Sequence, residues 1–325
     1  MRALDVVAPG PHTTIQDRGR IGYQNVGLPT SGPLDRISLN LANALVGNEP
    51  GAPALEMLLQ GPTLKVAAES VRVALVGCSA SIQVRSGTPR TIPAGQSVRL
   101  MRDEVFRIGT LGDSVCAYLA IEGGPDVPAV LGSASTFTRG AIGGFRGRRL
   151  QQGDSVPLRL ASVDDRGERA LAGPLDLAID QPIRVVLGPQ TDYFTPAAVQ
   201  TFLSSDYTVS PQADRMGYRL AGPTLAHVAG YDIVSDGIVS GAIQVPGSGL
   251  PIILLVDNQT TGGYPKIATV VSADIPVVGR RKPGRTIRFV AIEVEEAVLL
   301  RREQEAALRR DCEAILEVDG EPTPR

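Results

Sequence analysis

Short apolar runs separated by turns extend along most of the chain, and many of these runs are rich in β-branched residues. Gly occurs 36 times and Pro 25 times. They interrupt the runs roughly every 8 to 12 residues, a spacing typical of short strands joined by turns. Strands are expected, among other places, at residues 4–7, 71–76, 114–121 and 250–256. The pattern predicts a mainly β fold of the barrel or sandwich type.

Few segments have the 3.6-residue periodicity of an amphipathic helix. Residues 36–46 follow a good N-cap, Asp35, and stop before Gly47, so a helix is expected there. A shorter helix is expected at 195–204. A charged amphipathic helix is expected at 293–317, and a flexible tail closes the chain.

The stretch 162–180 carries charge, Gly and Pro without periodicity, which is typical of a boundary between domains. The predicted division is a β-rich N-terminal half at 1–175, a β-barrel C-terminal half at 176–292, and a C-terminal helix with a flexible tail at 293–325.

One polar segment, 257–266, follows the most hydrophobic strand candidate, 250–256, and reads Asp-Asn-Gln-Thr-Thr-Gly-Gly-Tyr-Pro-Lys. Gly262 and Gly263 allow backbone dihedral angles closed to other residues, so that amide N–H groups can turn toward a bound group. Lys266 adds a point charge in a chain that is poor in lysine. A polar hairpin between two strands is the alternative interpretation.

A second polar, glycine-rich segment spans residues 13–35 and contains Gln16, Asp17, Arg18 and Ser31. It is too irregular for a helix and too long for a plain turn, and long ordered loops are often functional. The alternative is a surface connection capped by the helix that follows.

Composition excludes several classes of function. A net charge of -2 and a pI near 5.8 argue against nucleic acid as a partner. No apolar run approaches the ~18 residues of a membrane helix, and no signal peptide is expected. Three distant cysteines indicate reduced thiols in a cytoplasmic protein. Two histidines without metal-ligand spacing predict no metal site, and no GxxxxGK[ST] loop is present for ATP.

Several motifs together resemble one known family. They are, in chain order, Thr14-Ile15-Gln16-Asp17-Arg18-Gly19-Arg20 with Gly22-Tyr23-Gln24, Gly27-x-Pro29-x-Ser31-Gly32-Pro33-x-Asp35, Asp214-Arg215-Met216-Gly217-Tyr218-Arg219-Leu220-x-Gly222-Pro223, Ser235-Asp236-Gly237-Ile238-x-x-Gly241-Ala242-Ile243-Gln244-Val245-Pro246, and Asp257-x-Gln259-Thr260-Thr261-Gly262-Gly263-Tyr264-Pro265-Lys266. Over residues 1–295 the chain resembles the allophanate-hydrolase-subunit-2-type proteins. This family includes the subunit-C protein of 5-oxoprolinase, the Kip-type kinase-inhibitor antagonist, and the second half of the urea carboxylase carboxyltransferase domain.

The resemblance implies two cyclophilin-like β-barrel modules and a partner chain of the subunit-B (allophanate-hydrolase-subunit-1) type. The function expected from it is that of a subunit of an ATP-dependent 5-oxoprolinase complex. This complex, with subunit-A-like and subunit-B-like partners, opens 5-oxoproline to L-glutamate. The chain alone is expected to bind no cofactor and to be inactive, with ATP used by the complex.

Two alternatives stay open. One is the carboxyltransferase half of a biotin-dependent urea or amide carboxylase. No lysine here has a methionine neighbour, as a biotinyl lysine usually does, so biotin would come on a separate chain. The other is a regulatory protein that antagonises an inhibitor of a histidine kinase.

The residues nominated as catalytic are Lys266, Asp17 and Asp257, and those nominated as substrate-binding are Gln16, Arg18, Ser31, Gln259, Thr260, Thr261, Gly262, Gly263 and Tyr264. The hypothesis is that Lys266 and the two glycine amides bind a carboxylate or an oxyanion. Gln259 and Thr261 then orient a small amide substrate. Asp17 and Arg18 serve as a supporting ion pair or as a second substrate contact.

Overall fold

The computed structural model describes residues 2–178 and 180–318. Strands dominate this part of the chain, and the α-helices are few. The expected fold class is confirmed: a mainly β protein with cyclophilin-like β-barrel modules, a few short helices and a C-terminal helix. No helix among the described residues is both long and apolar enough to span a membrane.

The strands are, in chain order, β1 (Ala3–Ala8), β2 (His12–Gln16), β3 (Ala54–Leu58), β4 (Thr63–Val66), β5 (Ser70–Val76), β6 (Ser81–Val84), β7 (Arg90–Pro93), β8 (Ser97–Met101), β9 (Val105–Ile108), β10 (Cys116–Ile121), β11 (Ser155–Pro157), β12 (Glu168–Ala170), β13 (Ile183–Leu187), β14 (Tyr207–Val209), β15 (Gly217–Ala221), β16 (Asp236–Gly237), β17 (Ala242–Gln244), β18 (Ile252–Leu254), β19 (Thr261–Gly262), β20 (Lys266–Val270), β21 (Thr286–Ile287), β22 (Phe289–Ala291) and β23 (Leu316–Val318). The α-helices are α1 (Arg36–Val46), α2 (Pro196–Ser204), α3 (Ile275–Arg280) and α4 (Val294–Glu313).

Helix α1 begins and ends where its sequence predicts. The Asp35 carboxylate accepts hydrogen bonds from the backbone N–H groups of Ile37 and Ser38 at 3.0 and 3.2 Å. These bonds satisfy donors that the first helical turn leaves without partners. At the other end Gly47 adopts φ +81°, a left-handed conformation that glycine accepts without strain. The apolar face of α1 packs on β5 and β10, two strands that are buried along their whole length.

The chain divides into two compact units. The first comprises residues 1–20, 31–177 and 307–325. Its six-stranded sheet has the order β11-β1-β4-β9-β6-β7, and its five-stranded sheet has the order β2-β3-β10-β5-β8. Buried side chains of both sheets, such as Leu64 and Phe106 from one and Val73 and Leu119 from the other, form one hydrophobic core.

The second unit comprises residues 21–30 and 178–306. Its eight-stranded sheet has the order β21-β14-β15-β18-β17-β20-β13-β22, and a separate two-stranded ribbon pairs β16 with β19. Aromatic rings fill part of its core: the rings of Phe202 and Phe289 stack with centroids 4.5 Å apart, and Tyr207 packs beside them. The expected domain boundaries at 175/176 and 292/293 stay a prediction.

Three expectations need adjustment in their bounds. The helix expected at 195–204 begins at Pro196, after Thr195 as its N-cap. The C-terminal helix ends at Glu313 because residues 316–318 turn into β23, which pairs with β12. The strand expected at 250–256 is regular only over 252–254. The tail expected to be flexible lies outside the described residues from 319 onward.

Candidate functional site

The β16–β19 ribbon joins two polar segments that are distant in the sequence. In its antiparallel register Asp236 lies opposite Gly262. The ribbon continues through Pro265 into Lys266, the first residue of β20. This arrangement brings a carboxylate and an ammonium group together across a separation of 30 residues.

Lys266 is a buried cation that pairs with a carboxylate. Its side chain is only 4% exposed, and its Nζ donates a hydrogen bond of 2.7 Å to Oδ2 of Asp236. Its backbone N–H donates to the side-chain Oε1 of Gln190 at 3.1 Å. The backbone N–H of Gln190 donates in turn to the backbone carbonyl of Lys266. The ammonium group therefore has a fixed position, and its charge is directed at Asp236.

Asp236 is the solvent-facing member of this pair. Its side chain is 52% exposed. Its carboxylate accepts from Lys266, from Gln190 Nε2 at 3.4 Å, and from the Gly237 N–H at 2.7 Å. The hydrogen bond from Lys266, followed by that from Gly237, holds the pKa of Asp236 below its ordinary value of 3.8. Near neutral pH this position presents a fixed, ionised carboxylate.

Two glutamine side chains lie beside the ribbon. Gln244 is buried, with 2% exposed, and its Nε2 donates to the Tyr264 carbonyl at 3.4 Å. Its Oε1 accepts from Nε2 of Gln259 at 3.4 Å, and Gln259 itself is exposed. Gln244 thus holds the amide nitrogen of Gln259, whose amide oxygen can accept a hydrogen bond from a bound molecule.

Gly262 and Gly263 do not use the backbone dihedral angles that glycine alone allows. Neither residue has a positive φ, so neither depends on dihedral angles reserved for glycine. A Cβ on Gly262 would lie 2.5 Å from Gln244 Nε2 and 2.6 Å from Ile238 Cδ1, so the ends of these two buried side chains would have to shift. The segment is not a hairpin between its flanking strands, because β18 and β20 are not neighbours in the sheet. It pairs with β16 instead, and Lys266 at its end contacts the Asp236 carboxylate.

The remaining nominated residues of this segment are partly engaged. The Thr260 carbonyl accepts from the Ile238 N–H at 3.0 Å, which extends the ribbon. Thr261 is exposed, and Tyr264 is 39% exposed. The side chains available to a bound molecule are therefore those of Gln259, Thr261 and Tyr264.

Asp257 is occupied by a buried ion pair. Its Oδ2 accepts from Arg215 Nε at 2.8 Å and its Oδ1 from Arg215 Nη2 at 3.2 Å. Both side chains are about 5% exposed. The Asp257 N–H also donates to the Arg215 carbonyl at 3.0 Å. The arrangement fixes the start of the polar segment, and the carboxylate has its charge balanced without a substrate.

In the first unit Asp17 organises a loop. Its Oδ1 accepts from the hydroxyls of Ser133 and Ser135 at 2.5 and 2.6 Å and from the Gly19 N–H at 2.9 Å. Its Oδ2 accepts from the Ala134 N–H at 2.6 Å. The Asp17 carboxylate therefore accepts its hydrogen bonds from its own loop and from residues 133–135, and these bonds hold the two segments together.

The expected ion pair between Asp17 and Arg18 does not form. Arg18 is exposed, and its Nε donates to the Pro50 carbonyl at 2.9 Å. Gln16 is fully buried and donates through Nε2 to Thr14 and to the Thr136 carbonyl, while its Oε1 has no hydrogen-bond partner. Ser31 is 3% exposed, with an unpartnered Oγ and φ +54°. The nominated residues thus fall into two sets, one in each unit.

Sequence reasoning missed Asp236, Gln190 and Gln244 as parts of the site. Asp236 and Gln244 both stand in a motif that carries the family resemblance, and this was a usable signal. Gln190 precedes a short turn and carried no comparable signal. Among the described residues no group of His, Cys, Asp and Glu side chains is arranged to hold a metal ion.

Known proteins share this architecture. The family model described as "Carboxyltransferase domain, subdomain A and B" matches residues 26–291. The subunit-C protein of 5-oxoprolinase from Escherichia coli (strain K12) is 36% identical over 306 residues, covering 93% of this chain and 95% of that protein. The urea amidolyase of Saccharomyces cerevisiae is 35% identical over 324 residues, covering 94% of this chain but 17% of that protein. The crystal structure of the K. lactis urea amidolyase superposes with a TM-score of 0.87 at 33% identity, covering 95% of this chain and 20% of that one.

Proposed function

Since the chain belongs to the family of the carboxyltransferase domain, subdomains A and B, we propose that it is a subunit of an ATP-dependent 5-oxoprolinase complex. In this complex it helps to open 5-oxoproline to L-glutamate, together with a subunit-A-like and a subunit-B-like protein. It is inactive alone. The bacterial relatives are named as subunits, which is the basis for expecting partner chains.

The observation that carries the proposal is the near-complete mutual coverage with the bacterial 5-oxoprolinase subunit. The alignment spans 93% of this chain and 95% of the relative. The urea amidolyase chain, by contrast, is several times longer than the matched segment, which covers 17% of it. Similarity that spans nearly the whole of that relative supports the function of a 5-oxoprolinase subunit.

The geometry around Asp236 supports a chemical role for this chain in binding the substrate. A lactam presents an N–H donor, a carbonyl acceptor and, in 5-oxoproline, a carboxylate. The ionised Asp236 carboxylate accepts the lactam N–H, and the exposed Gln259 amide and Thr261 hydroxyl orient the carbonyl group. Lys266 holds Asp236 in place and keeps it ionised, so this lysine is a positioning group rather than the free cation that the sequence suggested.

Lactam opening needs activation, because the amide bond is stabilised by resonance. ATP supplies this activation in the complex, and we assign its binding to a partner chain because this chain has no P-loop motif. The task of this chain is to bind and orient the ring. Preorganised donors and charges of this kind lower a barrier because they need no rearrangement during the reaction.

Carboxyl transfer to a urea-like amide is the second candidate, favoured by the TM-score of 0.87 with the urea amidolyase structure. The lysines do not suit covalent biotin: Lys266 is buried, and Lys65 lies within strand β4 in an ion pair with Asp103. Lys282 is partly exposed but has no methionine neighbour. Any biotin would be carried by a separate chain.

The proposal is tested with Lys266→Met and Asp236→Asn in the complex reconstituted with both partners. The readout is ATP-dependent formation of glutamate from 5-oxoproline. We expect kcat/KM to fall about tenfold to a hundredfold in each variant, the range of one lost charge-assisted contact. Asp236→Asn leaves the buried Lys266 ammonium without its carboxylate, so the folding of each variant is checked by circular dichroism before kcat/KM is compared.

Lys65→Met is the matched control. Lys65 also donates to a single aspartate, at 2.8 Å, but its side chain is 41% exposed and it lies in the first unit. Its loss should leave kcat/KM at the wild-type value. Unchanged kcat/KM in folded Asp236→Asn would show that Asp236 is not part of the site. If Lys65→Met lowered kcat/KM as much as Lys266→Met does, the loss would reflect a nonspecific effect of charge.

A further inference from the structure

A cavity of about 410 Å³ opens in the second unit, away from the Asp236 ribbon in sequence and lined by different residues. Its wall is formed by residues 180–182 before β13, by Asp206 before β14, and by residues of the segment 281–288 that follows α3. The volume lies within the range of small-molecule sites, about 300 to 1,000 Å³. Three arginines, Arg281, Arg285 and Arg288, contribute to the lining.

Arg281 is a buried cation that lacks a paired carboxylate. It is 3% exposed. Its Nη1 donates to the Thr286 carbonyl at 3.1 Å and its Nη2 to the Gln181 carbonyl at 2.5 Å, whereas its Nε has no partner. Among the described residues no carboxylate lies within ion-pair distance of it. Buried charges are normally paired, so a guanidinium without a paired carboxylate on a cavity wall favours an anionic ligand.

The charges around the cavity agree with this. Burial lowers the pKa of Arg281. The negative charge of Asp180 raises this pKa, and the positive charge of Arg285 lowers it. Of the two carboxylates on the wall, Asp206 is already paired with Arg288 at 2.7 Å. Neutral carbonyl groups fix the Arg281 guanidinium without cancelling its charge. The lining therefore keeps an excess of positive charge that faces one space.

We propose that this cavity binds a phosphate group, either as inorganic phosphate or as part of a nucleotide. Guanidinium groups bind phosphate oxygens through paired N–H donors, and a tetrahedral oxyanion can be contacted by several arginines from different sides. Arg281 supplies a rigid, buried donor, while the more exposed Arg285 and Arg288 close on the ligand from the rim. The proposal is independent of the reaction that the complex performs.

The test measures thermal unfolding of the full chain in a phosphate-free buffer of low ionic strength, with inorganic phosphate, ADP or L-glutamate added at millimolar concentration. A ligand that binds only the folded state raises Tm, and isothermal titration then gives its affinity. We expect phosphate or ADP to bind saturably. A response to phosphate identifies the free ion as sufficient, and a response to ADP alone identifies a nucleotide.

Arg285→Gln removes an exposed member of the cavity wall and should weaken binding about tenfold or more. Arg281→Met should abolish it, with folding checked by circular dichroism. Arg219→Gln, on the exposed side of β15, is the matched control and should bind as the wild type does. Three results would overturn the proposal: no saturable binding of phosphate or ADP, binding of glutamate alone, or equal affinities in Arg285→Gln and Arg219→Gln.

Discussion

The Arg215–Asp257 ion pair separates a structural role of Asp257 from a catalytic one. Asp257→Asn keeps the shape of the side chain but removes its charge. Both partners are about 5% exposed and share two hydrogen bonds of 2.8 and 3.2 Å. Removal of one partner from a buried pair leaves an uncompensated charge and costs about 3–5 kcal/mol of the free energy of unfolding.

That loss is large enough to measure by heat. For domains of this size about 1 kcal/mol shifts Tm by roughly 2–4 °C, so a fall in Tm on the order of 10 °C is expected. Differential scanning calorimetry measures it, with urea unfolding followed by circular dichroism as a second method. The double variant Arg215→Met/Asp257→Leu should recover most of the loss, because it removes both charges together.

The matched control is Asp103→Asn, which breaks an exposed pair with Lys65 at 2.8 Å and should leave Tm essentially unchanged. The account is refuted if Asp257→Asn keeps the wild-type Tm while the reconstituted complex loses activity. That result would make the carboxylate a catalytic group, as the sequence suggested, instead of an anchor for the polar segment.

Two further predictions concern packing and pH. Gly262→Ala places a methyl group against the buried Gln244 amide and should lower the free energy of unfolding in urea by about 1–3 kcal/mol. Gly263→Ala meets only ordinary contacts at 3.4 Å and should lower it clearly less. Equal losses in the two variants would contradict this explanation. The Arg148 hydrogen bond lowers the pKa of Asp154 below 3.8. Its stabilisation is therefore present above that value and lost as pH falls through the lower folded pKa. Asp154→Asn should flatten the acid limb of Tm against pH, and an unchanged limb would contradict the pairing.

The sequence predicts local structure well where the local signal decides the outcome. Helix α1 follows from the Asp35 N-cap and from Gly47, because caps act within a single turn. The β-rich class follows from the turn spacing. The strand bounds are less accurate, because a segment such as 250–256 ends its regular pairing where its neighbours end, at Leu254.

The candidate site could be predicted only in part, because its chemistry depends on long-range register. Lys266 stands out in the sequence, but its partner Asp236 is selected by the β16–β19 pairing. Asp17 and Asp257 also stand out, yet their charges are taken up by neighbours from distant segments. Gly262 looks like a turn residue, whereas in the structure it lies in β19 with the side chains of Gln244 and Ile238 close to its Cα. Sequence patterns identify such residue types but not which of them meet.

The most direct test of the central claim is an omission experiment on the reconstituted system. ATP-dependent conversion of 5-oxoproline to L-glutamate is measured with this chain, its subunit-A-like partner and its subunit-B-like partner, and each component is left out in turn. The account predicts glutamate formation by the full mixture and its loss when this chain alone is missing. Glutamate formation that persists without this chain would contradict the account. A full mixture that forms no glutamate but carboxylates urea in a biotin-dependent reaction would also contradict it.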